Sequence, residues 1–248
     1  MNRKNLLLII LILAVVLALF AVLTVFFDQA VLVRQNTVYR AAIRDKVVAI
    51  TFDDGPSAAW TPLILDELKQ AGVKATFFML GTQAVKYPDV ARRVAAEGHE
   101  IGNHSFDHHG IFFYSAQEAA REVKEGEKAI RDVTGVTTKY FRPPKAWIND
   151  QEKSVFAGMG YKVILWSLNS KDWVTFDDKY IVAFLVHNAR PGDIILFHDS
   201  GSVFGVEGGD RHETVKAVAG LIAKLKAKGY RFVTISELIR MDAKNVHH

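Results

Sequence analysis

Apolar and polar positions along this chain follow two regimes. From Leu6 to Phe27 every residue is apolar except Thr24. This run of 22 residues exceeds the roughly 20 that a helix needs to cross the hydrocarbon core of a bilayer. Arg3 and Lys4 precede it and Asp28 follows, so the basic end is expected in the cytoplasm and the remainder outside. A cleaved signal peptide is the alternative, but its apolar region usually spans about 7–15 residues and ends in a small-x-small site, which is not found here. The expected layout is therefore a short cytoplasmic basic segment at 1–5 and a transmembrane helix at 6–27. A linker at 28–45 with room for one strand, a folded domain at 46–240 and a C-terminal tail at 241–248 complete it.

Beyond residue 46 the pattern alternates. Short β-branched or aromatic runs predict strands at Val47–Phe52, Ala75–Leu80, Glu100–Asn103, Thr138–Phe141, Lys162–Trp166, Ile194–Phe197 and Phe232–Ile235. Stretches of helical period separate them at Pro62–Ala71, Asp89–Glu97, Ala116–Val133, Asp150–Met159, Asp178–Ala189 and Glu213–Lys228. Gly72, Gly98, Gly135, Gly160 and Gly229 stand where helices prefer to stop. Such alternation argues for parallel βαβ units: first a closed or nearly closed (β/α) barrel of about seven strands, second an open doubly wound sheet. The apolar spacing of Val215, Val218, Leu221, Ile222 and Leu225 reads as core packing.

Polar residues concentrate where the apolar strands end. Asp53-Asp54, His104, Arg142, Asp172 and His198-Asp199 each follow a predicted strand. In parallel α/β folds the C-terminal strand ends form the active-site face, so these distant groups are expected at one mouth.

Composition narrows the chemistry available there. The chain has no cysteine, which excludes disulfides, thiolate metal sites and a cysteine nucleophile. Its 31 basic and 27 acidic residues form no Lys/Arg tract, so no nucleic-acid partner is expected. A chain that is 50% hydrophobic can bury enough surface to fold.

His104 and His108 are spaced i, i+4, so one helical turn would present both imidazoles on one side. With Asp54 they would make a two-His, one-carboxylate site with open positions, suited to zinc or another divalent first-row metal. Asp53 could then take a proton from water and His198 give one to a leaving group, the parts of metal-assisted amide or ester hydrolysis. Blander readings exist: an Asp pair capping a helix, and a turn rich in histidine by accident. A serine triad is weaker, because no G-x-S-x-G elbow occurs.

The motifs TFDDGPS, HSFDH, RPP, DW and LFH stand here in the order and spacing of the NodB-like polysaccharide deacetylases, carbohydrate esterase family 4, and the chain resembles that family from about residue 46 to 240. The resemblance implies a distorted (β/α) barrel, one divalent metal (zinc first, cobalt or another first-row ion otherwise) and removal of N-acetyl groups from amino sugars. By the same resemblance Asp53 is the base, Asp54, His104 and His108 are the metal ligands, and Arg142 orients the base. Asp172 tunes the acid His198, while Leu196 and Trp173 wall the acetyl pocket. The family often carries an aromatic residue and glycine after the paired prolines, whereas Lys145-Ala146-Trp147 stand here. The backbone N–H of Lys145 still matches the oxyanion donor, and its side chain is placed to reach an acidic part of a glycan.

The remaining aromatic and histidine residues are assigned more modest parts. Trp147 is a weaker sugar-stacking candidate than Trp173, Trp60 and Trp166 read as core, and His99, His187 and His212 as surface or capping groups. His109, His247 and His248 are left outside the site. The expected molecule is an anchored, outward-facing deacetylase whose partners are the membrane and an N-acetylated glycan polymer. Peptidoglycan N-acetylglucosamine is the first substrate, with chitooligosaccharide or N-acetylmuramic acid next. A catalytically silent glycan-binding protein and a hydrolase of non-sugar amides are the rivals.

Overall fold

A computed structural model describes residues 2–26, 28–109, 114–175, 177–201 and 209–245, apart from the side chains of residues 4, 18, 20–26, 29 and 245. His247 and His248 lie outside the described residues. Eight strands are described: β1 (Val47–Asp53), β2 (Thr76–Met79), β3 (Glu100–Asn103), β4 (Tyr140–Phe141), β5 (Lys162–Val163), β6 (Leu168–Asn169), β7 (Ile194–His198) and β8 (Arg231–Phe232). The helices are α1 (Arg3–Phe26), α2 (Thr61–Ala71), α3 (Gly81–Lys86), α4 (Pro88–Ala96), α5 (Ala116–Thr134), α6 (Asp150–Gly158), α7 (Asp178–Asn188), α8 (His212–Ala227) and α9 (Ile235–Asn245).

Seven strands lie in the order β5-β4-β3-β2-β1-β7-β6, every neighbouring pair parallel, and β8 pairs with the start of β1. The sheet curls into a half-barrel rather than closing through a β5–β6 pair. Both end strands belong to one stretch of chain, 162–169, which crosses the seam by itself.

The period of two along β1 sorts its side chains into two cores. Val48, Ile50 and Phe52 pack outward with Ile64, Leu68, Leu221 and Leu225 of α2 and α8. Val47 and Ala49 face the inside of the curl with Phe78, Ile164, Trp166 and Leu196. Helix boundaries follow local chemistry. Ser115 and Glu118 form a reciprocal capping box on α5, Asn149 and Glu152 do the same on α6, and Gly72 ends α2 in the left-handed region at φ 62°.

The structure departs from expectation at both ends of the domain. Residues 28–45 do not form a linker. They fold into a 3₁₀ turn at Gln29–Val33, bury Ala30, Ala41 and Ile43, and bridge Val38 to Ile164 and Arg40 to Asp193. Apolar residues spaced among the charges of this segment supply the reason, since burying them outweighs the freedom of a tether. At the other end, the expected strand Phe232–Ile235 shortens to Arg231–Phe232. Ile235 instead begins α9, which runs through most of the expected 241–248 tail. α1 covers the expected membrane stretch, yet among the described residues no helix is long and apolar enough to cross a membrane.

Candidate functional site

The end of β1 builds the centre of the site. Thr51 and Asp53 share the inward face that Val47 and Ala49 begin. The next residue, Asp54, leaves the strand with φ 75°, a left-handed conformation rare for a non-glycine residue. That turn sends the two adjacent carboxylates to different neighbours. Gly55 follows against the Asp199 carboxylate, where a Cβ would lie 2.1 Å from Oδ2, so no larger residue fits.

Asp54 meets two histidines. Its Oδ1 lies 3.3 Å from His104 Nε2 and 3.2 Å from His108 Nε2. The three side chains offer ligand atoms within 4.8 Å of one another. Asp54 Oδ1 is buried without a hydrogen-bond partner, a costly state for a carboxylate oxygen. A divalent cation would resolve it, so the donor set fits such an ion. Burial opposes the charge of Asp54, but His108, His104 and His198 together hold its carboxyl well below the usual range. His104 Nδ1 stands 2.7 Å from the Arg142 carbonyl, which can only accept, so the proton sits on Nδ1 and Nε2 is left to bind.

The two histidines do come together, but not by the helical turn that the i, i+4 spacing predicts. No helix connects them. Ser105 and His108 take φ 78° and 68°, and this irregular loop, not a helical turn, brings the rings to 5.2 Å. Glu122 holds the loop by accepting from Phe106 N and Asp107 N at 2.9 and 3.0 Å, and Ser105 Oγ accepts from His108 N. The loop lies close over α5 because Gly126 has no side chain. A Cβ there would stand 2.7 Å from Ser105 O.

Asp53 meets Arg142. The fully buried guanidinium donates from Nη1 to Asp53 Oδ1 at 2.7 Å and to Thr51 Oγ1 at 2.8 Å. Its other nitrogens donate to the carbonyls of Ile164 and Leu165, and its Cζ lies 4.0 Å over the Phe78 ring. Asp53 Oδ2 remains open toward His104, 3.9 Å from Nε2. Burial pulls the Arg142 guanidinium below its ordinary value, and Asp53 acts in the opposite direction.

Across β1, register pairs Asp53 with His198 of β7. His198 Nδ1 lies 2.8 Å from Asp172 Oδ1, and Asp172 Oδ2 accepts from His198 N and Thr214 Oγ1, each at 2.9 Å. Ser170 Oγ donates to Oδ1 at 3.0 Å. Burial disfavours the imidazolium, but the Asp172 charge and hydrogen bond prevail and raise the His198 pKa. Burial likewise opposes the Asp172 charge, and His198 lowers its pKa despite that.

Three other expected residues land less centrally. Leu196 is buried on the inner face of β7 among Phe78 and Trp166. Trp173 is half-buried in the turn after Asp172. Lys145 is exposed at φ 57°, its ammonium 5.0 Å from the Trp147 ring.

The sequence reading assigns no part to Thr51, Ser170, Thr214 and Glu122, and places Asp199 at the mouth without giving it a role. Thr51 was legible as a polar residue on the inward parity of β1, and Glu122 as a carboxylate in the buried stripe Ala119-Val123-Gly126-Ile130. Asp199 is 1% exposed, accepts from Thr61 Oγ1 at 2.6 Å and donates its N–H to Asp53 O. Burial first, then the charges of Asp54 and Asp53, push its carboxyl up to about 7 against the Thr61 hydrogen bond.

A model of the family described as polysaccharide deacetylase matches residues 40–164. A peptidoglycan-N-acetylglucosamine deacetylase of Bacillus cereus is 40% identical over 198 residues, 79% of this chain and 89% of the relative. The peptidoglycan-N-acetylmuramic acid deacetylase PdaC of Bacillus subtilis is 36% identical over 193 residues, 78% of this chain but 38% of that longer protein. The crystal structure of the Bc1960 peptidoglycan N-acetylglucosamine deacetylase superposes with a TM-score of 0.77 at 32% identity, covering 86% of this chain and 97% of that one.

Proposed function

The chain belongs to the polysaccharide deacetylase family, hydrolases of N-acetyl amide bonds, and from that premise we propose that it deacetylates N-acetylglucosamine of peptidoglycan on the outer side of a membrane. One observation carries the chemistry. Asp53, held by Arg142, lies 3.9 Å from His104 of the Asp54–His104–His108 cluster and is paired in register with His198 of the Asp172–His198 pair, so base, cation site and acid share one mouth.

Asp54, His104 and His108 would hold the metal, zinc first among first-row ions. When bound, such an ion polarises the acetyl carbonyl and acidifies water. The residues of the chain do the rest. Asp53 accepts the proton of the attacking water at Oδ2, the oxygen that Arg142 leaves free. The water oxygen bonds to the acetyl carbon as the C–N bond breaks. His198, charged through its bond to Asp172, gives the Nε2 proton to the departing nitrogen, so acetate and a free amine leave. The Lys145 N–H is the oxyanion donor in this reading, Leu196 and Trp173 shape the acetyl pocket, and Trp147 is a weaker stacking surface.

Support for the membrane side comes from the N-terminus. Helix α1 begins at Arg3 and carries the apolar run as far as Phe26, and Leu6 to Leu17 include no described large apolar side chain below 43% exposure. A helix apolar on all sides belongs in lipid rather than water. Substrate choice is supported by the N-acetylglucosamine relatives, and N-acetylmuramic acid by PdaC. A catalytically silent binding protein would lack some member of this machinery, and none is missing here.

The test is acetate release from purified peptidoglycan and from N-acetylchitooligosaccharide, with and without chelator. Activity that survives chelation overturns the metal assignment. Release from chitooligosaccharide alone overturns the wall substrate. N-terminal sequencing of the mature protein that starts near residue 20–30 overturns the anchor.

A further inference from the structure

The segment 28–43, between α1 and β1, is bonded to a stretch of chain that holds the Arg142 guanidinium on the side away from Asp53 and Thr51. Arg142 Nε donates to Ile164 O at 3.3 Å and Nη2 to Leu165 O at 3.2 Å, and the Trp166 ring lies 5.7 Å from Cζ. Residues 163–166 are in turn gripped by the N-terminal segment. Val38 N donates to Val163 O at 2.9 Å and Leu165 N to Val38 O at 2.8 Å. Arg34 Nη2 donates to Trp166 O at 3.3 Å, and the Trp166 indole N–H is shared between both Asp28 carboxylate oxygens, each at 2.9 Å.

Residues 163–166 therefore form a ribbon clamped between two groups. On one side its carbonyls orient the guanidinium that fixes Asp53. On the other, backbone ladder bonds and Asp28 fix the ribbon itself. Trp166 as a whole is 6% exposed, so an indole N–H left without Asp28 would be buried and unpaired, and the ribbon would shift to reach water. A second tie sets the lower part of the segment. Arg40 Nε donates to Asp193 Oδ1 at 2.8 Å, on the loop leading into β7, and Ala41 N donates to Gly192 O at 2.9 Å.

We propose that this N-terminal strap is a positioning element for catalysis: Asp28, through Trp166 and the ribbon 163–166, sets the Arg142 guanidinium and with it the Asp53 carboxylate. Asp28 is a positioning residue and touches no reacting atom. The inference rests on reading Asp53 as the base of the deacetylation. It makes the segment that follows α1 part of the catalytic machinery rather than a spacer.

The experiment compares full-length protein in detergent carrying Asp28→Leu, Asp28→Asn, Trp166→Phe, and Asp28→Leu with Trp166→Phe, on N-acetylchitooligosaccharide. A misplaced base costs turnover more than binding, so Asp28→Leu is expected to lower kcat about tenfold and leave KM within about twofold. Asp28→Asn keeps an oxygen for the indole N–H and is expected to restore kcat to within about twofold of wild type. In the Trp166→Phe background the indole donor is gone, and Asp28→Leu is expected to add no further loss. Amide exchange at Ile164, Leu165 and Arg142 should rise in Asp28→Leu and not in Asp28→Asn.

Unchanged kcat and unchanged exchange in Asp28→Leu overturn the proposal, as does an equal further loss in the Trp166→Phe background. Faster exchange over the whole domain, with kcat and KM both altered, reduces Asp28 to a stability role and overturns it too. A wild-type protein that releases no acetate counts against the deacetylase reading alone. Exchange at the ribbon then still decides whether the strap holds it.

Discussion

Asp172→Asn tests the acid side of the site with the least change of shape. The Asp172 carboxylate accepts from His198 N, Thr214 Oγ1 and Ser170 Oγ, and holds His198 Nδ1 at 2.8 Å. An asparagine can keep the first two bonds on its oxygen. Its NH₂ then faces His198 Nδ1, where only an unprotonated nitrogen can accept. The substitution thus removes the charge that favours imidazolium and replaces an acceptor with a donor. A hydrogen bond to a charged group contributes about 1.5–3 kcal/mol, and one pKa unit corresponds to about 1.4 kcal/mol. The His198 pKa should therefore fall.

The sign of the effect on rate is definite. His198 must be protonated to donate, so activity falls as pH rises through its pKa in the folded protein. That pKa is raised above 6.5 in the wild type. In Asp172→Asn the alkaline limb moves to lower pH. Near pH 7.5 the rate should drop about 10- to 100-fold, and the deficit should narrow as the pH is lowered. Acetate release measured from pH 5 to 9, with bound metal quantified alongside, checks it. An alkaline limb that stays in place, or a loss equal at every pH with metal retained, refutes the role assigned to the pair.

Three further outcomes are expected. Asp53→Asn should abolish turnover while metal content, measured by elemental analysis, stays near wild type; loss of metal would mean that the two aspartates have exchanged roles. Gly55→Ala would place a Cβ 2.1 Å from Asp199 Oδ2 and should lower the melting temperature sharply, by overpacking of about 1–3 kcal/mol or more. Because the Asp199 pKa is raised from 3.8 to about 7, the unfolded chain releases that proton first, so metal-free wild type should lose stability as pH rises from 4 to 7. Asp199→Asn should flatten that slope in denaturant titrations at pH 4 and 7, and an unchanged slope would show that Asp199 is not the group responsible.

How much of this was legible in the chain differs from residue to residue. The site residues could be named because parallel α/β folds carry their chemistry at C-terminal strand ends, and strand ends show as abrupt apolar-to-polar changes such as Phe52 to Asp53 or Phe197 to His198. Their partnerships came only from the family resemblance. Arg142 reaches Asp53 across 89 positions and Asp172 meets His198 across 26, distances at which no local pattern reports contact. Glu122 and Thr214 were passed over for the same reason, since each sits within helical spacing and becomes functional only through a loop or strand packed against it.

By itself the sequence determined the alternation of strand and helix, the apolar N-terminal run and, through the absence of cysteine, that any metal must rest on histidine and carboxylate. These are properties of composition and short-range period, which the chain carries wherever it folds. Only the tertiary structure shows how two adjacent aspartates come to face different partners, because the left-handed turn at Asp54 turns its carboxylate to the histidines and leaves Asp53 to Arg142. It decided that His104 and His108 meet through a loop held by Glu122 rather than a helical turn. It also decided that residues 28–43 are a strap: their bonds go to residues 163–166 and 192–193, and such bonds exist only once the sheet has curled and brought its seam beneath them.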